Sequence, residues 1–285
     1  KRPGVTINRK DLFAMPVPTA NLLWRDLRTQ QQKKGGGTEK IYITIIVEGI
    51  TEGKTWQSGF EFYYANEESL YCRSLASAES CRQVPRGAAD LRVTYLSPLS
   101  GLASTETRLD EGAIHVRLGE GRTAEVLRNL AWQVLQSQDG QAKWQALVGR
   151  MKSLFGIDLD EPEYIAERGE ITLSYRSNTG IRLDISSSGR GQQQTLLLLA
   201  HMAMHPGSVL LLDEPDAHLE VLRQRQIYEI LTQTAQETGS QIIAASHSEV
   251  ILNEAAGRDV VVAFIGKPHR LNDRGSQQVL KALKE

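Results

Sequence analysis

Two adjacent acidic residues, Asp213 and Glu214, follow an apolar segment at residues 209–212. Pro215 comes next and prevents a strand from continuing, because proline has no backbone N–H donor. A short, continuous apolar run is typical of a buried strand in a parallel sheet, and ligands bind at the carboxyl end of such strands. One carboxylate there could hold Mg²⁺ together with substrate phosphates, and the other could orient or deprotonate a water molecule. The alternative is a buried strand that ends in an acidic turn.

A serine- and glycine-rich segment, SSSGRGQQQ at residues 186–194, lies upstream of these acids. Its first six residues, 186–191, form what we name the serine–glycine loop, and an apolar helical run follows. Glycines allow backbone N–H groups to approach an anion closely, and a helix N-terminus adds a favourable electric field. Ser188 is predicted to be the N-cap of a helix at 192–204.

A second apolar strand is predicted at residues 241–245, and it ends in Ser246 and His247. Strands and helices alternate through this region, which favours a parallel sheet with right-handed crossovers. Asp213 and His247 then end neighbouring strands at the same edge of the sheet, as a shared phosphate site requires. The other elements predicted here are helix 218–234, a short helix from Glu249 and a strand at 260–264.

The segment at 49–55 (GITEGKT) is similar to a phosphate-binding loop but is one residue shorter than the motif G-x-x-x-x-G-K-[ST]. A strand pattern follows it, whereas a phosphate loop must lead into a helix. We therefore predict a hairpin turn in which Lys54 is solvated. The complete motif does not occur anywhere in the 285 residues.

The remaining patterns predict ordinary structural elements. They are a short helix at 21–28, a polar surface connection at 30–40, strands at 41–47, 59–64 and 91–96, amphipathic helices at 122–136 and 143–155, and a hairpin joining 171–175 to 181–185.

The composition is that of an ordinary soluble globular chain, with 40% hydrophobic and 24% charged residues. No apolar run is long enough to span a membrane and no signal peptide opens the chain. Two cysteines, Cys72 and Cys81, form neither a disulfide framework nor a metal quartet, so we predict a cytoplasmic location. The net charge of −1 does not indicate a nucleic-acid binder. The polar tail at 266–285 is expected to be solvated, and a contact with nucleic acid or a partner is the alternative.

The order of the three motifs, SSSGRGQQQ, then DEPDAHLE, then QIIAASHS, resembles the ABC class of P-loop ATPases. Within this class the sequence is similar to OLD-like (overcoming-lysogenization-defect) AAA ATPases related to RecF and SMC proteins, most clearly over 91–265. The resemblance implies that Asp213 holds Mg²⁺, that Glu214 is the catalytic base and that His247 contacts the γ-phosphate of ATP. The residues that it implies for nucleotide binding are Ser187, Ser188, Gly189, Gly191, Gln192 and Asp216. Arg190 and the glutamines at 192–194 depart from the glycine-glycine-glutamine sequence of transporters.

The resemblance also implies an α/β fold: an ABC-ATPase-like core with a parallel sheet flanked by helices, plus an antiparallel β-rich subdomain. It divides the chain into a β-rich N-terminal part of the ATPase core at 1–120, a helical subdomain at 121–165, and a part at 166–285 that carries the three motifs. In the family the phosphate loop lies upstream of the β-rich part, so we expect this chain to be a fragment of a longer protein. A Toprim nuclease domain often follows in OLD-like relatives.

The resemblance implies a homodimer or higher homo-oligomer with ATP at the interface, because the serine–glycine loop completes the site of a second protomer in this family. The leading interpretation is an ATPase core that controls DNA processing or anti-phage defence, with DNA or a nuclease or effector as partner and no membrane association. Two alternatives remain. One is an inactive, cassette-like scaffold for protein association, against which the intact Glu214 and His247 argue. The other is the ATP-binding subunit of a transporter.

Overall fold

A computed structural model describes residues 4–12, 17–33, 35–75, 84–177, 179–263 and 269–270. The chain divides into two compact units, residues 1–92 and residues 93–285. The predicted boundaries at 120 and 165 stay predictions. Cys81 and most of the polar tail lie outside the described residues.

Unit 1 is built mainly from antiparallel strands. Its elements are β1 (Val5–Asn8), β2 (Gln30–Gln32), β3 (Thr38–Lys40), β4 (Tyr42–Thr51), β5 (Lys54–Asn66), β6 (Ser69–Ser74) and the short helix α1 (Arg86–Ala89). Four of the strands form an antiparallel sheet in the order β1-β6-β5-β4. The segment predicted as a surface connection at 30–40 contains the small, exposed hairpin of β2 and β3.

The turn between β4 and β5 is a two-residue hairpin turn. Glu52 and Gly53 both have positive φ, 51° and 74°, and Thr51 pairs with Lys54 across the turn. Two successive residues with positive φ match the twist of the flanking strands. The hairpin predicted for 49–55 is therefore confirmed, and a strand rather than a helix follows Lys54.

The core of unit 1 lies on one face of its sheet, where Trp24 and Ala20 pack with Leu70. The indole Nε1 of Trp24 donates a hydrogen bond to the carbonyl oxygen of Ile41 at 2.9 Å. The helix predicted at 21–28 was wrong in type. The segment forms two 3₁₀ turns, Ala20–Leu23 and Arg25–Leu27, because Trp24 is extended between them and Asp26 has a φ of 54°.

Unit 2 contains most of the helices. Its elements are β7 (Val93–Leu96), α2 (Glu111–Gly119), α3 (Leu127–Gln136), α4 (Gly140–Phe155), β8 (Asp158–Leu159), β9 (Glu163–Ile165), β10 (Glu170–Thr172), β11 (Ser174–Arg176), β12 (Arg182–Asp184), α5 (Arg190–Met204), β13 (Val209–Asp213), α6 (Val221–Thr238), β14 (Gln241–Ala245), α7 (Glu249–Ala255), β15 (Val262–Ala263) and β16 (His269–Arg270).

The organising element of unit 2 is a parallel sheet in the order β7-β13-β14. Leu211 in the central strand pairs with Tyr95 on one side and with Ile243 on the other, both in parallel register. Together with the antiparallel sheet of unit 1, this sheet confirms the predicted α/β fold class. The carboxyl ends of β13 and β14 meet at one edge, as the sequence predicted, because Asp213 pairs with Ala245.

Helix α5 is buried on nearly every side, and its four consecutive leucines at 196–199 are at most 3% exposed. A helix that is buried on all sides lies inside a core, and α5 packs there with α3 and α4. The amphipathic helices predicted at 122–136 and 143–155 are confirmed as α3, which a 3₁₀ turn at Thr123–Glu125 precedes, and α4.

Three predicted elements of unit 2 differ from the structure. Helix α6 begins at Val221 rather than at residue 218, because His218 has a φ of 65° and cannot belong to a right-handed helix. The hairpin of 171–175 with 181–185 is shorter than predicted, since only β11 pairs with β12 while β10 pairs with β9. Strand β15 pairs antiparallel with β16, so in the described part of the chain it does not extend the parallel sheet.

Among the described residues, no helix has the length and apolar character needed to cross a membrane.

Candidate functional site

The site begins at the carboxyl end of β13. Asp213 is the last residue of the strand, and the backbone N–H of Glu214 still donates to the carbonyl oxygen of Ala245 at 2.8 Å. Glu214 has a φ of 46°, which lies in the left-handed region that residues other than glycine rarely adopt. Such backbone strain costs on the order of 1–3 kcal/mol and is concentrated at functional sites. This left-handed conformation turns the backbone sharply directly after the strand, where the two carboxylates lie.

His247 lies beside Glu214 at this edge. The imidazole Nε2 is 3.4 Å from Glu214 Oε1, and the side chains of His247 and Glu214 are 96% and 30% exposed. The pairing of β13 with β14 brings them together across 33 residues of sequence, the difference between 247 and 214. The imidazole is therefore open to solvent and to a ligand, while one of its nitrogens faces the proposed catalytic base.

The loop that carries His247 is fixed by the serines on either side of it. Ser246 Oγ donates to Asp216 Oδ1 at 2.7 Å and accepts the backbone N–H of Ser248 at 3.0 Å. Ser248 Oγ donates to Gln224 Oε1 and accepts two N–H groups in the first turn of α7. Asp216 is only 4% exposed, so in the described structure its carboxylate positions the histidine loop. Its nucleotide contact stays a prediction.

Tyr95 is a neighbour of Asp213 that the sequence did not single out. Its hydroxyl lies close enough to the Asp213 carboxylate to interact with it. Burial raises the pKa of Tyr95 above its ordinary value, and the Asp213 carboxylate raises it further. The contact arises because Tyr95 pairs with Leu211, and Asp213 points to the same face as Leu211, two residues on. Only the register of β7 against β13 reveals this, and nothing in the local sequence does.

The serine–glycine loop is a compact structure that is held mainly by its own hydrogen bonds. Ser187 Oγ donates to the carbonyl oxygen of Asp184, and Ser188 Oγ donates to that of Ile185 at 2.7 Å. The prediction that Ser188 caps α5 was wrong. A 3₁₀ turn at Ile185–Ser187 uses the hydroxyl of Ser188 and shifts the cap by one residue, to Gly189.

The three glutamines that follow the loop have three different contacts. Gln192 Oε1 accepts the N–H of Gly189 at 3.2 Å and completes a capping box. Gln193 Nε2 lies within 3.3 Å of three carbonyl oxygens, that of Ile185 directly before the loop and those of residues 186 and 188 within it. Gln194 Oε1 accepts the N–H of Leu99 at 2.6 Å. The side-chain amide of Gln193 therefore holds the start of the loop in place. A run of three identical residues did not predict this role.

Gly191 is required by close packing. A Cβ at this position would lie 2.8 Å from Leu219 Cδ2 and 3.0 Å from the carbonyl oxygen of His218. The first turn of α5 therefore packs against the segment that follows the acidic strand end. Among the described residues, the N–H groups of Arg190 and Gly191 have no acceptor, and Arg190 is exposed while Gly191 is half-buried. This turn can accept an anion from outside the unit.

A buried histidine at the far end of α5 ties this helix to β7. His201 is fully buried, and its Nε2 lies 3.0 Å from Thr94 Oγ1. The ring centroids of His201 and His205 are 4.3 Å apart, and the ring of His115 on α2 lies 6.3 Å from that of His205. Burial, together with the positive charges that His205 and His115 can carry, lowers the pKa of His201 from the ordinary 6.5 to about 3.

This histidine makes the stability of unit 2 sensitive to acid. Because the folded pKa is depressed, the unfolded chain binds a proton below about pH 6.5 that the folded chain does not bind. The free energy of unfolding should therefore fall by about 1.4 kcal/mol more per pH unit between pH 6 and 4 in the wild type than in His201→Gln. Urea unfolding across this range measures the difference. His247→Gln, which removes an exposed histidine, is the control, and equal slopes for wild type and His201→Gln would contradict the prediction.

Comparison with protein families matches residues 133–253 to a model described as an AAA domain, putative AbiEii toxin, type IV TA system. The matched segment contains the serine–glycine loop, Asp213, Glu214 and His247. The comparison with curated proteins gives no match.

Three solved structures illustrate the likeness to SMC proteins. A structure described for ATP-driven dimerisation and DNA-stimulated activation of SMC ATPases is 16% identical, covering 51% of this chain and 92% of that chain, with a TM-score of 0.40. The Pyrococcus furiosus Smc head domain bound to the C-terminal domain of ScpA is 13% identical, covering 89% and 83%, with a TM-score of 0.43. The Thermotoga maritima SMC head domain is 15% identical, covering 80% and 73%, with a TM-score of 0.40. TM-scores this low add nothing to the family match.

The family match and the three motifs that it spans agree with the resemblance first seen in the sequence. Residues 133–253, which are less than half of the chain, are therefore similar to an AAA domain family, in agreement with the ABC class of P-loop ATPases that the motifs resemble.

Proposed function

We propose that this chain is the ATP-hydrolysing core of an ATPase that associates with a second copy, with ATP held between the two. The observation that carries the proposal is the meeting of Asp213, Glu214 and His247 at one edge of a parallel sheet. Phosphoryl transfer needs little covalent chemistry from a protein and depends on positioning and on neutralising charge. Glu214 would orient and deprotonate the attacking water, and His247 would contact the γ-phosphate.

The acidic residues at this edge fit Mg²⁺ bound together with a nucleotide. Asp213 offers a carboxylate at the strand end, and among the described residues no cluster of three or more acidic, histidine or cysteine side chains could hold a metal ion alone. Mg²⁺ commonly takes one or two protein carboxylates and fills its other positions with water and substrate phosphates. When bound, it would neutralise charge on the phosphates. Tyr95 would orient the Asp213 carboxylate through its hydroxyl.

Hydrolysis also needs a phosphate loop, and the motif is not present in these 285 residues. In the described sheet β14 pairs on one side only, with β13, and Ile243 of β14 is 62% exposed. We place a phosphate-loop strand, supplied from outside these residues, along the free edge of β14. This placement would cover Ile243 and bring the phosphates toward Glu214 and His247.

These 285 residues by themselves should bind Mg-ATP only weakly and should not hydrolyse it, because the lysine and backbone donors of a phosphate loop are missing. Titration calorimetry with Mg-ATP is expected to show no binding at micromolar concentrations. Micromolar binding would overturn this expectation and would make residues 49–55 the candidate phosphate-binding site. In that case Lys54→Ala, at the β4–β5 turn, would show whether the turn lysine contacts the phosphates.

The proposed association surface contains the serine–glycine loop and the start of α6. Gly191 packs on Leu219, and Val221 and Leu222, at the start of α6, are 65% and 80% exposed. Exposed apolar side chains beside a turn with unsatisfied N–H donors suit a surface that is covered when two copies associate. A head-to-tail homodimer would place this loop over the partner's ATP.

We further propose that the ATPase is an OLD-like, cytoplasmic protein whose association controls DNA processing or anti-phage defence through a nuclease or another effector. The description of the matched family, which names a putative toxin of a type IV TA system, supports an effector role. Measuring ATP turnover with and without duplex DNA tests whether the protein acts on DNA. Stimulation of turnover by DNA would support DNA processing, and unchanged turnover would favour a protein effector. The missing phosphate loop favours a scaffold instead, but the strained Glu214 beside His247 favours hydrolysis.

A further inference from the structure

Arg128 is a fully buried arginine that has no part in the proposed chemistry. It lies in the first turn of α3 and is 1% exposed. Its guanidinium donates to the carbonyl oxygens of Ala103 at 2.9 Å and Ser104 at 3.4 Å, and to Asp184 Oδ1 at 2.8 Å. Charged side chains are almost never fully buried without partners. The three acceptors come from two segments that are far apart in sequence.

Glu106 fixes the position of Arg128. This carboxylate is 4% exposed and accepts the backbone N–H groups of Arg128 and Asn129 at 2.9 and 2.7 Å. It also accepts the side-chain amide of Asn129 at 2.7 Å. These bonds satisfy N–H groups at the start of α3, where a helix has no internal acceptors. Residues 103–106, which follow β7, are thereby anchored to α3, and the Arg128 guanidinium adds an ion pair with Glu106 at 3.7 Å.

Asp184 connects Arg128 to the serine–glycine loop. The same Oδ1 atom that accepts from Arg128 also accepts from the backbone N–H of Ser186 at 2.8 Å and from its hydroxyl at 2.6 Å. Asp184 is the N-cap of the 3₁₀ turn that leads directly into Ser188. Burial raises the pKa of Asp184, but the bonds from Ser186 and the charge of Arg128 outweigh it and hold the pKa below its ordinary value.

We infer that Arg128 is a positioning residue for the serine–glycine loop: its guanidinium fixes the Asp184 carboxylate that caps the loop and joins it to residues 103–106. A buried ion pair that serves stability alone is often replaced by apolar residues without loss. Here the guanidinium fork spans two backbone carbonyls and a capping carboxylate, and an apolar side chain cannot satisfy that set of acceptors. The effect on catalysis rests on the proposed function, whereas the effect on the loop does not.

Hydrogen exchange of the loop amides tests the inference in the chain as it stands. Arg128→Met and Asp184→Ala should each raise exchange in peptides covering 184–193 about tenfold or more, because a charge-assisted hydrogen bond is lost. The double variant should add little, because both changes break one connection. Arg182→Met is the matched control. This arginine lies on the same strand as Asp184, pairs with Asp160 and is 56% exposed, so loop exchange should not change.

A second pair of variants covers the case in which Arg128→Met does not fold. The Asp184 side chain is 41% exposed and that of Asp160 is 23% exposed, and each carboxylate pairs with an arginine. Asp184→Ala should loosen the loop and Asp160→Ala should not. Arg128→Lys should behave like Arg128→Met, because a lysine cannot span the three acceptors. Equal loop exchange in wild type and Asp184→Ala would overturn the inference.

Turnover separates this inference from the proposed function. In a form of the protein that includes a phosphate loop, Asp184→Ala should lower kcat about tenfold with little change in the KM for ATP, because the loop acts after the first protomer binds ATP. If loop exchange rises as expected but the wild type hydrolyses no ATP, the proposed function fails and the positioning role stands. If the wild type hydrolyses ATP and loop exchange is unchanged, the positioning role fails.

Discussion

Glu214→Gln should still bind ATP but should hydrolyse it at least ~10²-fold more slowly, the scale of a lost general base. The test requires a form of the protein that includes a phosphate loop. Glutamine has nearly the same shape as glutamate and leaves the backbone at this position, with its φ of 46°, unchanged. Only the ability to take a proton from the attacking water is removed. The loss corresponds to about 2.7 kcal/mol of transition-state stabilisation, at 1.36 kcal/mol for each factor of ten.

Steady-state turnover and equilibrium ATP binding, measured on the same preparation, separate the two effects. A loss of binding as well as turnover would indicate that Glu214 holds the nucleotide or supports the fold. The matched control is Glu229→Gln, an exposed carboxylate on α6 whose side chain lies outside the proposed site. That variant should keep wild-type turnover. Wild-type turnover in Glu214→Gln would remove Glu214 from the mechanism.

The carboxyl edge of the parallel sheet was predictable because strong local signals define it. The apolar runs before Asp213 and His247 end abruptly, and helical patterns between them require a parallel crossover. The pairing of Asp213 with Ala245 confirms this prediction. The contact of Tyr95 with Asp213 was not predictable, because it depends on which residue of β7 faces Leu211. Registers between strands that are distant in sequence leave no local pattern.

The sequence did not predict the roles of Arg128 and Ser188, for two different reasons. Arg128 lies among apolar positions of α3, and an arginine there is expected to extend into solvent. Its burial depends on carbonyl oxygens from 103–104 and on Asp184, which only the tertiary structure brings together. Ser188 has a residue type suited to an N-cap, but a 3₁₀ turn moves the helix start past it. The residue type was suitable, and the backbone conformation decided its role.

Ser188→Arg should abolish ATP hydrolysis while leaving ATP binding to one protomer nearly intact. In the described structure the side chains of Ser187 and Ser188 donate to residues 184 and 185, and no hydrogen bond or ion pair joins them to Asp213, Glu214 or His247. The loop is therefore expected to act on the site of a partner. An arginine at residue 188 adds bulk and charge to a loop that must approach that partner closely.

A mixture of Ser188→Arg with Glu214→Gln gives the decisive measurement. In a mixed head-to-tail dimer, one composite site carries both changes and the other carries neither, so activity should return. Random pairing of equal amounts would restore about a quarter of wild-type turnover, because half of the dimers are mixed and each has one intact site. Since Ser188 is only 9% exposed, circular dichroism and sizing must first show that the variant folds and associates. If both variants do so and neither the mixture nor a linked heterodimer recovers turnover, Ser188 does not serve its partner's site and the interface proposal is wrong.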